Sequence, residues 1–206
     1  MSDAKPKFQW SKSKRRYQYA NGKPVADDKL RDWAQTTIDA SKDRIGEFTQ
    51  SLVDGKIELA EWEVRMRAEI RAGHRAIAML ANGGKLDKQA VARLGNAVKA
   101  QYKYLTAFKN GLENGEIELT GKVVSRAQMY GQAVRMTYES EVRAREKKAG
   151  LKKERRILTA KESCRSANGV TGCVELAAKG WQPIGTLPAI GLATCISQCR
   201  CFFVFK

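Results

Sequence analysis

Histidine is almost absent from this 206-residue sequence, and familiar catalytic motifs are absent as well. The one histidine, His74, lies in the middle of a predicted helix, where such a residue is more often packed or solvated than catalytic. A cysteine–histidine nucleophile pair would need a cysteine at least 90 residues away. We find no Walker loop, no dinucleotide-binding fingerprint and no His-Glu-x-x-His motif. We therefore expect no enzymatic activity.

Long apolar runs are also missing. No stretch reaches the ~18 apolar residues that a membrane-spanning helix needs, and the N-terminal MSDAKPKFQWSKSKRRYQYANGK contains no apolar signal-peptide core. We expect a protein that is made in the cytoplasm and has no membrane partner. Because cytoplasmic thiols stay reduced, clustered cysteines then favour metal or redox chemistry over disulfides.

Acidic residues are too few to balance the basic ones. The 38 Lys and Arg outnumber the 22 Asp and Glu, which gives a formal net charge of +16. This excess favours a polyanionic partner but does not choose between nucleic acid, an anionic membrane surface and an acidic protein. The segment 142–156 carries eight basic and two acidic residues. These charges suit either a helix C-terminus or a phosphate backbone, and both interpretations stay open.

Apolar residues recur three and four apart over most of the chain, which predicts amphipathic helices. The predicted helices span about 27–53, 58–81, 87–113 and 119–148, with glycine-containing turns between them. The segment FTQSLVDGKIEL at 48–59 is echoed by FKNGLENGEIEL at 108–119, which indicates two similar turns. We predict an elongated antiparallel helical bundle over 27–156. It follows a basic arm, residues 1–26, whose aromatic residues anchor it to a surface.

All five cysteines lie in the last 43 residues, together with two of the four prolines. We predict a small α+β module over 157–206, similar to a zinc ribbon, with a short strand at RILTA and a closing strand in CRCFFVFK. A module of this size lacks the core to fold unaided, so a metal would stabilise it. The candidate ligands of one structural zinc are Cys164, Cys173, Cys195, Cys199 and Cys201. Disulfides and plain buried thiols are the alternatives.

The C-terminal sequence ELAAKGWQPIGTLPAIG, followed by CISQCRCFFVF, resembles the end of minor head or head-morphogenesis proteins of tailed bacteriophages, the broad group related to the minor head protein of phage Mu. The predicted helices are similar to those of this group as well. The resemblance implies the same cysteines as metal ligands. In similar proteins the first two cysteines often lie close together, whereas here RSANGVTG separates Cys164 from Cys173.

The resemblance implies a structural protein of the virion that is assembled in the cytoplasm of the host bacterium. Its role would lie near the portal, in head assembly or head–tail joining. The implied partners are the portal, the major capsid protein or a head–tail connector, with self-association and non-specific contact with packaged DNA as further expectations. The alternative is a zinc-containing nucleic-acid-binding protein that acts outside any particle.

Overall fold

The computed structural model describes residues 8–11, 13–14, 16–159 and 164–206, and within them the protein is mainly helical. Four long helices form a bundle: α1 (Asp27–Val53), α2 (Leu59–Ala81), α3 (Lys88–Glu113) and α4 (Gly121–Lys148). A hairpin of β1 (Phe8–Ser11) and β2 (Arg16–Tyr19) precedes them. The chain ends in a small module built from β3 (Lys153–Ile157), α5 (Cys173–Ala178), β4 (Gln182–Pro183), a 3-10 turn (Ile196–Gln198) and β5 (Phe202–Phe205). The predicted fold class is confirmed.

The helix ends follow the signals in the sequence. The side chain of Asp87 caps α3 by accepting a hydrogen bond from the Ala90 backbone N–H at 2.8 Å. The last turn of α4 carries Arg145, Lys147 and Lys148, whose charges suit the negative end of the helix dipole. Each long helix begins and ends within two residues of its predicted bounds.

The repeated sequence motif corresponds to the same turn used twice. After α1, Gly55 has φ +68° and donates to the Leu52 carbonyl; after α3, Gly115 has φ +73° and donates to the Leu112 carbonyl. Glycine adopts this left-handed conformation at little cost, so both helices end at the same relative position.

The bundle core is aromatic at one end and aliphatic at the other. Phe108 packs edge-on against Trp62, with ring centroids 5.6 Å apart, and stacks on Tyr130 at 6.3 Å. The Trp62 indole N–H donates to Thr49 Oγ1 at 2.9 Å, so its polar atom is satisfied although the side chain is fully buried. The other end is closed by small and aliphatic residues, among them Ile38, Ile77 and Val134.

The N-terminal arm forms a hairpin on the protein's own helices. Trp10 and Tyr17 pack edge to face at 5.3 Å, and the Tyr17 hydroxyl donates to the Leu80 carbonyl. Tyr17, Val25 and Leu30 form a small cluster with the end of α2. Residues 1–7 lie outside the described part of the chain.

The module contains a three-stranded antiparallel sheet with the order β4-β3-β5. Strand β3 covers Lys153–Ile157, so the strand predicted at 156–160 begins three residues earlier. The shift has a physical cause: the two inward positions hold charged residues, Glu154 and Arg156, which are 0% and 1% exposed. An alternation of two charged types does not show the apolar periodicity of a strand.

In the described part of the chain, no helix is both long and apolar enough to cross a membrane.

Candidate metal centre

The five cysteines converge from four places in the module. Cys164 precedes a loop, Cys173 opens α5, Cys195 and Cys199 flank the 3-10 turn, and Cys201 directly precedes β5. Cys173, Cys199 and Cys201 are buried, and the other two are half-buried. The three buried cysteines belong to the module core with Leu176, Leu187, Ile190, Ala193 and Phe203.

The loop between the first two cysteines folds back on itself. Asn168 and Gly169 both have positive φ, +51° and +76°, as a type I′ turn requires. Ala167 and Val170 pair across the turn through two hydrogen bonds. The reversal returns the chain to its starting point, and the Cys173 backbone N–H donates to Cys164 Sγ at 3.2 Å. The long spacing in the sequence therefore does not keep Cys164 from the cluster.

The sulfur atoms form two overlapping groups of three. Cys164, Cys173 and Cys195 make one group, and Cys173, Cys199 and Cys201 make the other; within each group all sulfurs lie within 4.8 Å of one another. Cys173 belongs to both, with its sulfur 3.5 Å from that of Cys195 and 3.6 Å from that of Cys199. The described cysteines are all free thiols, and these separations exceed the ~2.05 Å of a disulfide.

The separations match those of a metal–thiolate site. A tetrahedron with metal–sulfur distances of about 2.3 Å has edges of about 3.8 Å, close to the distances of Cys173 Sγ from the sulfurs of Cys195 and Cys199. The clustered cysteines could therefore hold a metal ion with only small side-chain movements. One tetrahedral site takes four ligands, so one of the five sulfurs is not needed. Cys173 belongs to both groups of three and would therefore be a ligand whichever group holds the metal.

The thiols of the cluster differ in pKa because they hydrogen-bond to one another and because they are buried to different degrees. Hydrogen bonding from Cys201, more than any other contact, lowers the pKa of Cys199 to about 4. The same hydrogen bond raises the pKa of Cys201. Burial, followed by the charge on Cys199, raises the pKa of Cys173 to about 11. Of these three thiols Cys199 is the most acidic, and binding a cation would release the remaining protons.

A buried cation lies against the sulfurs. Arg156 points inward from β3, and its Nη1 lies 3.4 Å from Cys173 Sγ and 3.8 Å from Cys199 Sγ. Its Nη2 donates to the carbonyls of Pro188 and Ala189 at 2.5 and 3.4 Å. Among the described residues, Arg156 forms no ion pair with a carboxylate. The sulfur atoms are therefore the partners that can balance its charge.

The other inward residue of β3 fixes the loop that covers the cluster. Glu154 accepts two hydrogen bonds from Arg143 of α4, at 2.7 Å from Nε and 2.6 Å from Nη2. It also accepts from the backbone N–H groups of Gly185 and Leu187, at 3.1 and 3.2 Å. Arg143 Nη2 donates to the Leu187 carbonyl as well, at 2.7 Å. One buried carboxylate therefore joins the bundle, the sheet and the GWQPIGTLPAIG loop.

The sequence indicates all five cysteines but not Arg143, Glu154 and Arg156. These three lie in the segment 142–156, whose pattern indicates only a helix end and a charged link. The alternation of Glu154 and Arg156 in β3 is the available sequence signal, and it is hard to see because the exposed neighbours Lys153 and Arg155 are charged as well. Trp181 lies beside Arg155 and Lys206, outside the core cluster of the module.

Comparison with known proteins adds no relative, because no family model, no curated protein and no solved structure matches the chain.

Proposed function

We propose that this chain is a structural protein of a tailed-bacteriophage particle, in the class of minor head proteins, and that its cysteine cluster holds one structural zinc ion. The observation that carries the zinc site is the convergence of five thiols around Cys173, with the guanidinium of Arg156 against two of them. The virion role rests on the resemblance of the C-terminal sequence to phage head proteins. A cluster of this composition suits a closed structural site, since soft thiolate ligands select zinc over hard cations.

The charge of Arg156 fits this role. A zinc ion with four thiolates carries a net charge of −2, which is costly to bury without a neighbouring cation. Arg156 is 1% exposed and supplies that cation from within the module core. N–H groups that donate to ligand sulfurs also orient them and reduce their charge.

The residues that carry the resemblance to phage head proteins are those that build the module. Loop residues Gly185 and Leu187 donate to Glu154, and Pro188 and Ala189 accept from Arg156. The terminal cysteines contribute three of the five sulfurs. On this proposal, the GWQPIGTLPAIG loop and the terminal cysteines would close a metal-stabilised module onto the end of α4. Such a rigid end suits assembly contacts in a particle.

The alternative is a zinc protein that binds nucleic acid outside a particle, and it predicts that the protein is found elsewhere in the cell. It requires the protein to be found on cellular DNA and to be missing from purified particles. The two proposals share the zinc site, so the zinc content alone does not separate them.

The test uses a phage that carries this gene, deleted and then complemented in trans. The wild-type chain should be detected in purified particles by mass spectrometry and should restore infectious particles. Cys173→Ser removes the sulfur common to both groups, so the purified variant should lose its zinc in elemental analysis and should fail to complement. Ser166→Ala, which removes one hydroxyl beside the cluster and no sulfur, serves as the control and should keep its zinc.

Two results would overturn parts of the proposal separately. Particles that assemble normally without the chain, and that never contain it, would exclude the virion role. A purified wild-type protein with no bound metal and five reactive thiols would exclude the zinc site.

A further inference from the structure

We propose that the outer face of the module sheet is a binding surface for the phosphate backbone of a nucleic-acid duplex. The surface, called here the sheet patch, consists of Lys153 and Arg155 on β3, Lys206 next to β5, and Trp181 before β4. This inference goes beyond the structural role proposed above and does not depend on the zinc site.

The strand register brings these residues to one face. Lys153 and Arg155 are exposed and alternate with the buried Glu154 and Arg156. Lys206 lies directly opposite Lys153, because the two residues exchange backbone hydrogen bonds of 2.8 and 3.0 Å. Residues that pair across two strands point to the same face of a sheet. Three cations therefore share one surface.

Trp181 holds two of these cations near each other. Arg155 Cζ lies 5.1 Å from the Trp181 ring centroid, and Lys206 Nζ lies 4.4 Å from it. Cation–π attraction offsets the repulsion between the two like charges. Because the ring is in contact with both cations, its role is to position charge, and it is not free to stack on a base.

The charge of the patch is not neutralised by acidic side chains. Within residues 8–11, 13–14, 16–159 and 164–206, the side chains of Lys153, Arg155 and Lys206 form no ion pair with Asp or Glu. The carboxylate between the two β3 cations, Glu154, points inward and is bound by Arg143. Two exposed cations of the segment 142–156, Lys153 and Arg155, thus lie on this sheet face without an acidic partner.

Two basic residues of the preceding helix α4, unlike those of the patch, are paired with carboxylates. Arg143 pairs with Glu154 at 2.6 Å, and Arg145 pairs with Glu146 at 2.6 Å. Both are largely shielded from solvent in these pairs. Arg143 and Arg145 therefore use their charges internally, whereas Lys153 and Arg155 present theirs to a partner.

The spacing suits a phosphate backbone. Alternate residues of a strand lie about 6.6 Å apart, and phosphates of one DNA strand recur every ~3.4 Å along the helix axis. The axial rise leaves out the winding of the backbone around the axis, which roughly doubles the distance in space between neighbouring phosphates, so Lys153 and Arg155 are spaced to contact neighbouring phosphates of one strand.

A membrane surface fits the patch less well, since stable binding to a bilayer gains strength from apolar side chains that insert into it. None of the described large hydrophobic residues that are exposed belongs to the three strands of the sheet; they are Val64, Val91, Tyr104, Leu119, Met129, Val170, Leu192 and Ile196. The observations therefore favour a nucleic-acid duplex over a lipid bilayer.

The experiment measures binding of the zinc-loaded protein to a fluorescent 20-base-pair DNA duplex over a series of salt concentrations. The variant Lys153→Gln/Arg155→Gln/Lys206→Gln removes three phosphate contacts. Its plot of log K against log salt should flatten by about 2.7, since each contact contributes ~0.9 to the slope. An RNA duplex of equal length should bind through the same residues, because the patch recognises phosphates.

The matched control removes the same charge elsewhere. Lys88, Lys99 and Lys103 are exposed on α3, and the triple change of these residues to Gln should leave the slope unaltered. If both triple variants lose equal slope, only the net charge matters and the patch is not a site. The inference is also overturned if the wild type binds no duplex, or if it binds anionic vesicles or poly-glutamate more tightly at the same salt concentration.

A single substitution separates the loss of a phosphate contact from a folding defect of the triple variant. Lys153→Gln leaves the contacts of Trp181 intact and should reduce the slope by about 0.9. Circular dichroism and zinc content should match the wild type for every variant compared.

Discussion

At the scale of single residues, His74 is a polar side chain whose burial costs stability, because only one of its two ring nitrogens has a hydrogen-bond partner among the described residues. It is 2% exposed within the bundle, and its Nδ1 lies 2.7 Å from Thr137 Oγ1. Its Nε2 has no hydrogen-bond partner in the part of the chain that the structure describes. Burial lowers the pKa of His74 to about 4. The bundle therefore holds this histidine neutral.

The lowered pKa predicts a loss of stability in mild acid. The unfolded chain binds the proton near pH 6.5 and the folded chain only near pH 4, so the His74 contribution is present above pH 6.5 and is lost as the pH falls toward 4. Between pH 7 and pH 5 the free energy of unfolding should fall by about 2 kcal/mol from this group. His74→Gln should remove that part of the slope in urea titrations at the two pH values. A variant with an unchanged slope would show that His74 is charged or exposed in the folded state.

At the scale of the elements, the bundle depends on a close approach between α1 and α4. A Cβ atom on Gly131 of α4 would lie 2.9 Å from the backbone nitrogen of Lys42 and 3.0 Å from its Cα. Backbone atoms cannot turn aside as a flexible side chain can, so any larger residue would separate the two helices.

Two glycine substitutions should therefore change the stability of the fold in opposite directions. Gly131→Ala should destabilise the fold by about 1 to 3 kcal/mol, the range for overpacked cores. Gly95 of α3 is exposed, and a Cβ atom added there would have no neighbouring atom within 4 Å. Gly95→Ala should stabilise the helix by about 0.5 to 1 kcal/mol, since it gains helix propensity without a clash. Thermal unfolding of both variants makes the comparison, and a tolerated Gly131→Ala would mean that the two helices are not packed this closely.

Periodicity in the sequence is sufficient to predict the long helices because their apolar faces are continuous. It is not sufficient for β3, whose inward side chains are Glu154 and Arg156. Such residues are buried only because partners from distant segments satisfy them, and tertiary structure sets the positions of Arg143 and the 185–189 loop. The cysteines are identifiable from their type alone, but the shared position of Cys173 is not, because it depends on the turn at Asn168 and Gly169.

At the scale of the whole molecule, α4 links two cores of different composition. One side of this helix packs in the bundle, through residues such as Val134 and Tyr138. Its C-terminal half also contacts the module, where Arg143 binds Glu154 and Glu139 accepts a hydrogen bond from the Phe203 backbone N–H at 3.4 Å. The bundle has an apolar core of its own, whereas the smaller module core combines three buried cysteines with four aliphatic side chains and Phe203.

This difference predicts that metal removal affects the module first. A chelator should leave the helical circular dichroism signal nearly unchanged, because the four long helices do not use the cysteines. If the proposed zinc ion is bound, its removal should open the module, since a core of this size gains much of its stability from such a metal. Trypsin should then cleave after Arg156, which is buried in the folded state. Mass spectrometry would follow that cleavage with and without chelator, and cleavage after the exposed Lys56 in the α1–α2 turn provides the internal control. Equal acceleration at both sites, or loss of helical signal on chelation, would mean that the bundle and the module unfold as one cooperative unit.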